Sequence, residues 1–130
     1  MIRFAVSLTV DEAADKLIAA IAAYPMGLVA HANGQANCAK KGIDVPADQV
    51  LEVFRPDFAV KVWQAEKGAG IDIPLRIHLY EADARTWVAY RPAVEVFKPY
   101  ANSQLDALGG ELDLIFNQLL ATLDAWKLPS

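Results

Sequence analysis

A chain of 130 residues is one domain by size and is long enough to bury a core of its own. Its net charge of −4 and pI near 5.0 argue against nucleic acid or an anionic membrane surface as partner, since both require a positive footprint. The apolar share of 55%, with a mean hydropathy of +0.21, is high for a small soluble domain, so part of that surface is expected to meet a second copy of the chain. The single cysteine, Cys38, can close no disulfide within the chain and has no partner for a zinc arrangement. No run approaches the ~18–20 apolar residues of a membrane span. The first apolar stretch is interrupted too soon, at Asp11 and Glu12, to be a secretory signal. The expectation is a cytoplasmic protein that uses neither metal nor other cofactor.

Ile2, Phe4, Val6 and Leu8 alternate with Arg3, Ala5, Ser7 and Thr9, the pattern of a half-buried strand. Thr9 and Glu12 have capping-box spacing, and Ala14, Leu17, Ile18 and Ile21 follow at helical intervals until Tyr24-Pro25 ends the run. Leu28 to His31 reads as a second strand. A weak helix over 33–41 follows, with Gly42 in the C-cap position. Gln49 to Arg55 reads as a third strand, and Phe58, Val62 and Trp63 place a short helix between Asp57 and Lys67, closed by Gly68-Ala69-Gly70.

The longest strict alternation comes next. Ile71, Ile73, Leu75, Ile77 and Leu79 are expected on one side of a strand running to Glu81, with Asp72, Pro74, Arg76, His78 and Tyr80 on the other. Ala82 to Arg85 is short enough for a hairpin turn into Thr86–Arg91, where Pro92 stops the strand. Val94 to Tyr100 reads as a short helix or an irregular connection. Asn102-Ser103 caps a last helix whose stripe is Leu108, Leu112, Ile115, Phe116, Leu119, Leu120, Leu123 and Trp126, and Gly109-Gly110 is expected to weaken or split it. The order strand, helix, strands, helix, hairpin, helix defines an α+β single domain with a mostly antiparallel sheet and helices packed on one face. The opposite face then carries Arg76, His78 and Tyr80 and is open to water or a partner.

Val53-Phe54-Arg55-Pro56, the helix through Trp63-Gln64, Gly70-Ile71-Asp72-Ile73-Pro74-Leu75-Arg76 and Trp87-Val88-Ala89-Tyr90 stand in an order and spacing that resemble the bacterial domain-of-unknown-function family 302. The resemblance is best between Tyr24 and Pro92. It implies a compact α+β domain, often dimeric, with no settled activity. The family commonly has Gly-Asn-Pro or Cys-Asn-Pro where this chain has Phe54-Arg55-Pro56, and a histidine where it has Gly34. A site built on those polar residues is altered here.

Arg76, His78 and Tyr80 on one strand face, with Arg55 or Arg91, are the candidate ligand-binding residues. Arginine suits bidentate contact with carboxylate or phosphate, and histidine titrates near neutral pH. Residues of these types more often solvate a strand face or an interface. His31 and His78, far apart in the chain among scattered carboxylates, define no metal-ligand spacing. Cys38 is most simply a small apolar side chain, and Trp63, Trp87 and Trp126 core or interface anchors. No nucleophile elbow, phosphate loop or dinucleotide fingerprint is present. The reading is therefore a homodimeric module that binds a small, anionic ligand or a partner over the polar sheet face. The alternative is a small enzyme with His78 as general base and arginine substrate contacts.

Overall fold

The computed structural model describes residues 1–130. The elements are β1 (Ile2–Val6), α1 (Val10–Ala23), β2 (Gly27–Asn33), α2 (Gly34–Ala39), β3 (Asp48–Phe54), α3 (Pro56–Ala65), β4 (Leu75–Ala82), β5 (Arg85–Tyr90), α4 (Ala93–Phe97) and α5 (Ser103–Ala121). The five strands form one antiparallel sheet in the order β1-β5-β4-β3-β2, so the expected α+β class holds. No helix is long and apolar enough to cross a membrane.

The helix starts follow from side chains that satisfy orphan backbone donors. Thr9 accepts from Glu12 N while Glu12 accepts from Thr9 N, the full capping box at α1. Asn102 accepts from the amides of Gln104 and Leu105 at α5. Leu17 and Ile21 of α1 and Leu112, Phe116 and Leu119 of α5 are buried over the sheet residues Leu51, Val53, Ile77, Leu79 and Val88. At the β4–β5 hairpin, Asp83 and Ala84 both take positive φ, 54° and 58°, the type I′ geometry whose twist matches the flanking strands.

Two expectations are corrected. The strand does not begin at Ile71: β4 starts at Leu75, while Ile71 and Asp72 close a 3-10 turn over Lys67–Asp72, with Ile71 82% exposed. Pro74 has no N–H to give to a ladder, and β4 is a central strand that needs donors on both edges. Only Leu75, Ile77 and Leu79 of the alternating series are buried; Ile73 is partly covered. Nor is the last helix broken at Gly109-Gly110, since α5 runs through both. A Cβ at Gly109 would lie 3.1–3.3 Å from the backbone of Ala93 and Val94, so this glycine admits α4 to the helix surface. Packing offsets the intrinsic cost of the glycine there.

The two borders of the sheet differ. The C-terminal tail runs beside β1, with Leu128 N donating to Ala5 O and Ser7 N to Trp126 O. β2 forms the other border. None of its seven residues is buried, and none is Asp, Glu, Lys or Arg.

Candidate functional site

Alternation and register together decide what lies on the helix-free face. Val50 pairs with His78 and His78 with Ala89, which pairs with Arg3, so these four residues form one rung across β3, β4, β5 and β1. The neighbouring rung is Asp48, Tyr80, Trp87 and Ala5. On the other side of the first rung, Glu52 stands opposite Arg76. Arg76, His78 and Tyr80 thus share one face, as the alternation requires.

Most charges on this face are already matched. Arg76 Nε lies 3.3 Å from Glu52 Oε1. His78 Nε2 is 3.0 and 3.1 Å from the two oxygens of Asp48. A carboxylate only accepts, so Nε2 carries the proton and Nδ1 is the free ring nitrogen. The His78 ring stacks on Tyr80 with centroids 4.5 Å apart. Arg91, which lines a hollow of about 110 Å³ with Arg76, has Glu95 at 4.0 Å.

Arg55 is not brought to this face. It sits at the N-cap of α3, where Nε and Nη2 donate to the two oxygens of Asp57 at 2.7 and 3.1 Å and Nη1 donates to Pro25 O at 3.1 Å. The guanidinium hydrogen bonds hold the Asp57 carboxyl below its usual range and raise Arg55 above its own. His31 lies on the helix side, opposite Leu51. Its Nε2 is 2.7 Å from Oε1 of Gln49, a residue only 3% exposed whose Nε2 donates to Asp11 Oδ1 at 2.6 Å. Because Asp11 only accepts, the amide orientation is fixed and His31 Nε2 is the donor.

The residues that sequence reasoning missed are Arg3 and Arg85, with Trp87 in a role beyond packing. The Arg3 guanidinium carbon lies 3.9 Å from the Trp87 ring centroid and 5.9 Å from that of Tyr80, and Arg3 has no ion-pair partner. Trp87 is held in place by its indole N–H, which donates to Ala82 O at 3.1 Å. Between this edge and the C-terminal tail is a hollow of about 680 Å³ lined by Arg3, Arg85, Trp87, Lys127, Leu128 and Pro129 among others, with no aspartate or glutamate. Lys127 Nζ lies 3.9 Å from Asp124 Oδ1, which leaves Arg3 and Arg85 as the cations of this aromatic-walled recess without an ion-pair partner. The available signal was the polar phase of the first strand, which puts Arg3 on the same side as Ala5.

An antiparallel sheet with helices on one face and a polar, aromatic open face defines a small α+β domain. The family model described as "Domain of unknown function DUF302" matches residues 2–125, and the chain belongs to that family. The crystal structure of an uncharacterized conserved DUF302 protein from Bacillus stearothermophilus is similar, with a TM-score of 0.80 at 18% identity, over 95% of this chain and 94% of that one. That likeness extends to the fold. No curated protein matches the chain.

Proposed function

We propose that this domain is a homodimeric, non-catalytic binding module that takes a small planar anion on its helix-free face, at the Arg3–Trp87 end. The observation that carries the reading is the hollow lined by Arg3 and Arg85, neither of which has an ion-pair partner, with no acidic side chain among its lining residues. Arg3, stacked on Trp87, keeps its N–H edge free for a carboxylate while the aromatic surfaces of Trp87 and Tyr80 offer contact to a flat apolar body. Arg76 and His78, which pair with Glu52 and Asp48, extend the surface rather than supply its charge. The probes are benzoate and indole-3-acetate, titrated into labelled protein. The Trp87 indole and Arg3 resonances are expected to shift, and Arg3→Ala to weaken binding about tenfold, the loss of one charge-assisted contact of ~1.4 kcal/mol. Unchanged affinity in Arg3→Ala would refute the assignment.

Support for self-association comes from β2, which is exposed, uncharged and open along its outer edge, a template for antiparallel pairing with its own copy. Such pairing would leave both open faces on one side of a continuous sheet. Sedimentation at micromolar concentration is expected to give twice the 14.2 kDa chain mass. Ala30→Lys/Ala32→Lys, which sets like charges across the seam at exposed positions, is expected to restore the monomer. A monomeric wild type removes the dimer from the proposal.

One observation favours a second reading, an enzyme with His78 as general base: the Asp48 carboxylate orients the ring and leaves Nδ1 free. His78→Ala would abolish turnover of any substrate found. Full activity in that variant would end this alternative.

A further inference from the structure

A second recess lies at the other end of the sheet, where the motif residues Phe54-Arg55-Pro56, Trp63, Gly70 and Ile73-Pro74 converge with Val29 around a cleft of about 310 Å³. Its walls are aromatic and aliphatic. Two large apolar side chains on it face solvent: Trp63 is 44% exposed and Val29 59%. Val29 has this orientation because the β2–β3 register shifts between Leu28 and Ala30, making Val29 the extra residue of a bulge, and a bulge re-aims the side chain it displaces. Trp63 has its place because residue 70 is glycine: a Cβ there would come 3.1 Å from the indole Nε1 and 3.4 Å from Cδ1.

The electrostatics of the cleft narrow the ligand. Arg55 is the only charged residue among those lining it; Lys67 stands outside the lining, with Nζ 5.3 Å from the Trp63 ring centroid. Three of its five N–H donors are engaged, two by Asp57 and one by Pro25 O, and the Arg55–Asp57 pair is net neutral, so an incoming anion meets no uncompensated charge on the lining. Breaking the bidentate pair to admit a second carboxylate would leave Asp57 uncompensated. The Trp63 indole N–H makes no hydrogen bond within the protein and can donate to one acceptor on a ligand.

We propose that this cleft is a binding site for an uncharged, flat, largely apolar small molecule of about ten non-hydrogen atoms, stacked against Trp63 and wedged by Val29 and Pro74. It differs in place and in charge preference from the Arg3–Trp87 recess, and each site reports on a different tryptophan.

The test is titration of isotopically labelled full-length protein with indole, with benzoate as the charged comparison, followed through the tryptophan side-chain and backbone resonances. Indole is expected to shift the Trp63 side-chain signal and the amides of Val29, Ala59 and Gly70, with a Kd on the order of 100 μM for so small a ligand. Benzoate is expected to leave that group of signals unmoved. Trp63→Ala and Val29→Ala alter half-exposed or exposed side chains without adding charge to β2, and they are expected to weaken indole binding at least tenfold and several-fold respectively, with the spectrum otherwise intact. No shift at millimolar indole would overturn the proposal, as would binding that survives both substitutions or benzoate occupying the same cleft as well as indole. Shifts confined to Trp87 would place the ligand on the sheet face and overturn this inference alone.

Discussion

Asp113→Ala is expected to destabilise the fold by ~3 kcal/mol in urea unfolding, although Asp113 is a partly exposed residue that lines neither recess. Its carboxylate lies where three elements meet. Oδ1 accepts from the Tyr90 hydroxyl at 2.7 Å and from Ala93 N at 2.7 Å, and Oδ2 from Val94 N at 3.2 Å. One side chain on α5 therefore caps α4, whose own N-cap residue is Pro92 with no side-chain bond to give, and ties both to the end of β5. Removal leaves the amide of Ala93, a fully buried residue, and a buried phenol without partners. Asp113→Asn keeps one accepting oxygen and is expected to cost ~1 kcal/mol.

The same contact gives a pH dependence. Burial, then the hydrogen bond to Asp113, pushes the Tyr90 phenol well above its ordinary range. The unfolded chain would release that proton near pH ~10 while the folded chain holds it. Folding therefore binds a proton above that pH, and stability is fully present below it and falls as pH rises. Tyr100, whose hydroxyl donates to Asp72, is raised for a related reason and contributes in the same direction. Tyr90→Phe is expected to make the alkaline decline shallower. An unchanged slope would show that Tyr90 loses its burial before it titrates.

What the sequence made legible was phase, and what it hid was register. Alternation assigned Leu75, Ile77 and Leu79 to the core and Arg76, His78 and Tyr80 to the open face, because a period of two is a local property. Neither the pairing of Arg3 with Ala89 nor the approach of Arg3 to Trp87 is local. Both depend on β1 closing against β5, more than eighty residues later. Residue type groups Arg55 with Arg76, but the chain brings Asp57 to it two positions on. The same limit explains Ile71. Its spacing fits the strand, and only the prolyl nitrogen at Pro74 and the turn over Lys67–Asp72 exclude it. The family resemblance, strongest between Tyr24 and Pro92, extends through the family match to residues 2–125. The matched span takes in both α1 and α5.

Gly109 and Gly110 are adjacent, both helical, and expected to respond to alanine with opposite sign. A methyl group at Gly110 meets nothing within 4 Å, so Gly110→Ala gains helix propensity and lowers unfolded-state entropy, a stabilisation of up to ~1 kcal/mol. At Gly109 the same methyl would sit 3.1 Å from Val94 N and 3.2 Å from Val94 Cα. These atoms are backbone and cannot rotate aside, so α4 as a whole must move. That movement also lengthens the hydrogen bond from Val94 N to Asp113 Oδ2, already 3.2 Å, and exposes Ala93 and Phe97, both fully buried. The net result for Gly109→Ala is a loss of ~2 kcal/mol, overpacking outweighing propensity. The two denaturation midpoints should therefore fall on opposite sides of the wild type. If both variants were stabilised, α4 would not be held against α5 at this glycine, and the Asp113 cap would have to bear the attachment alone.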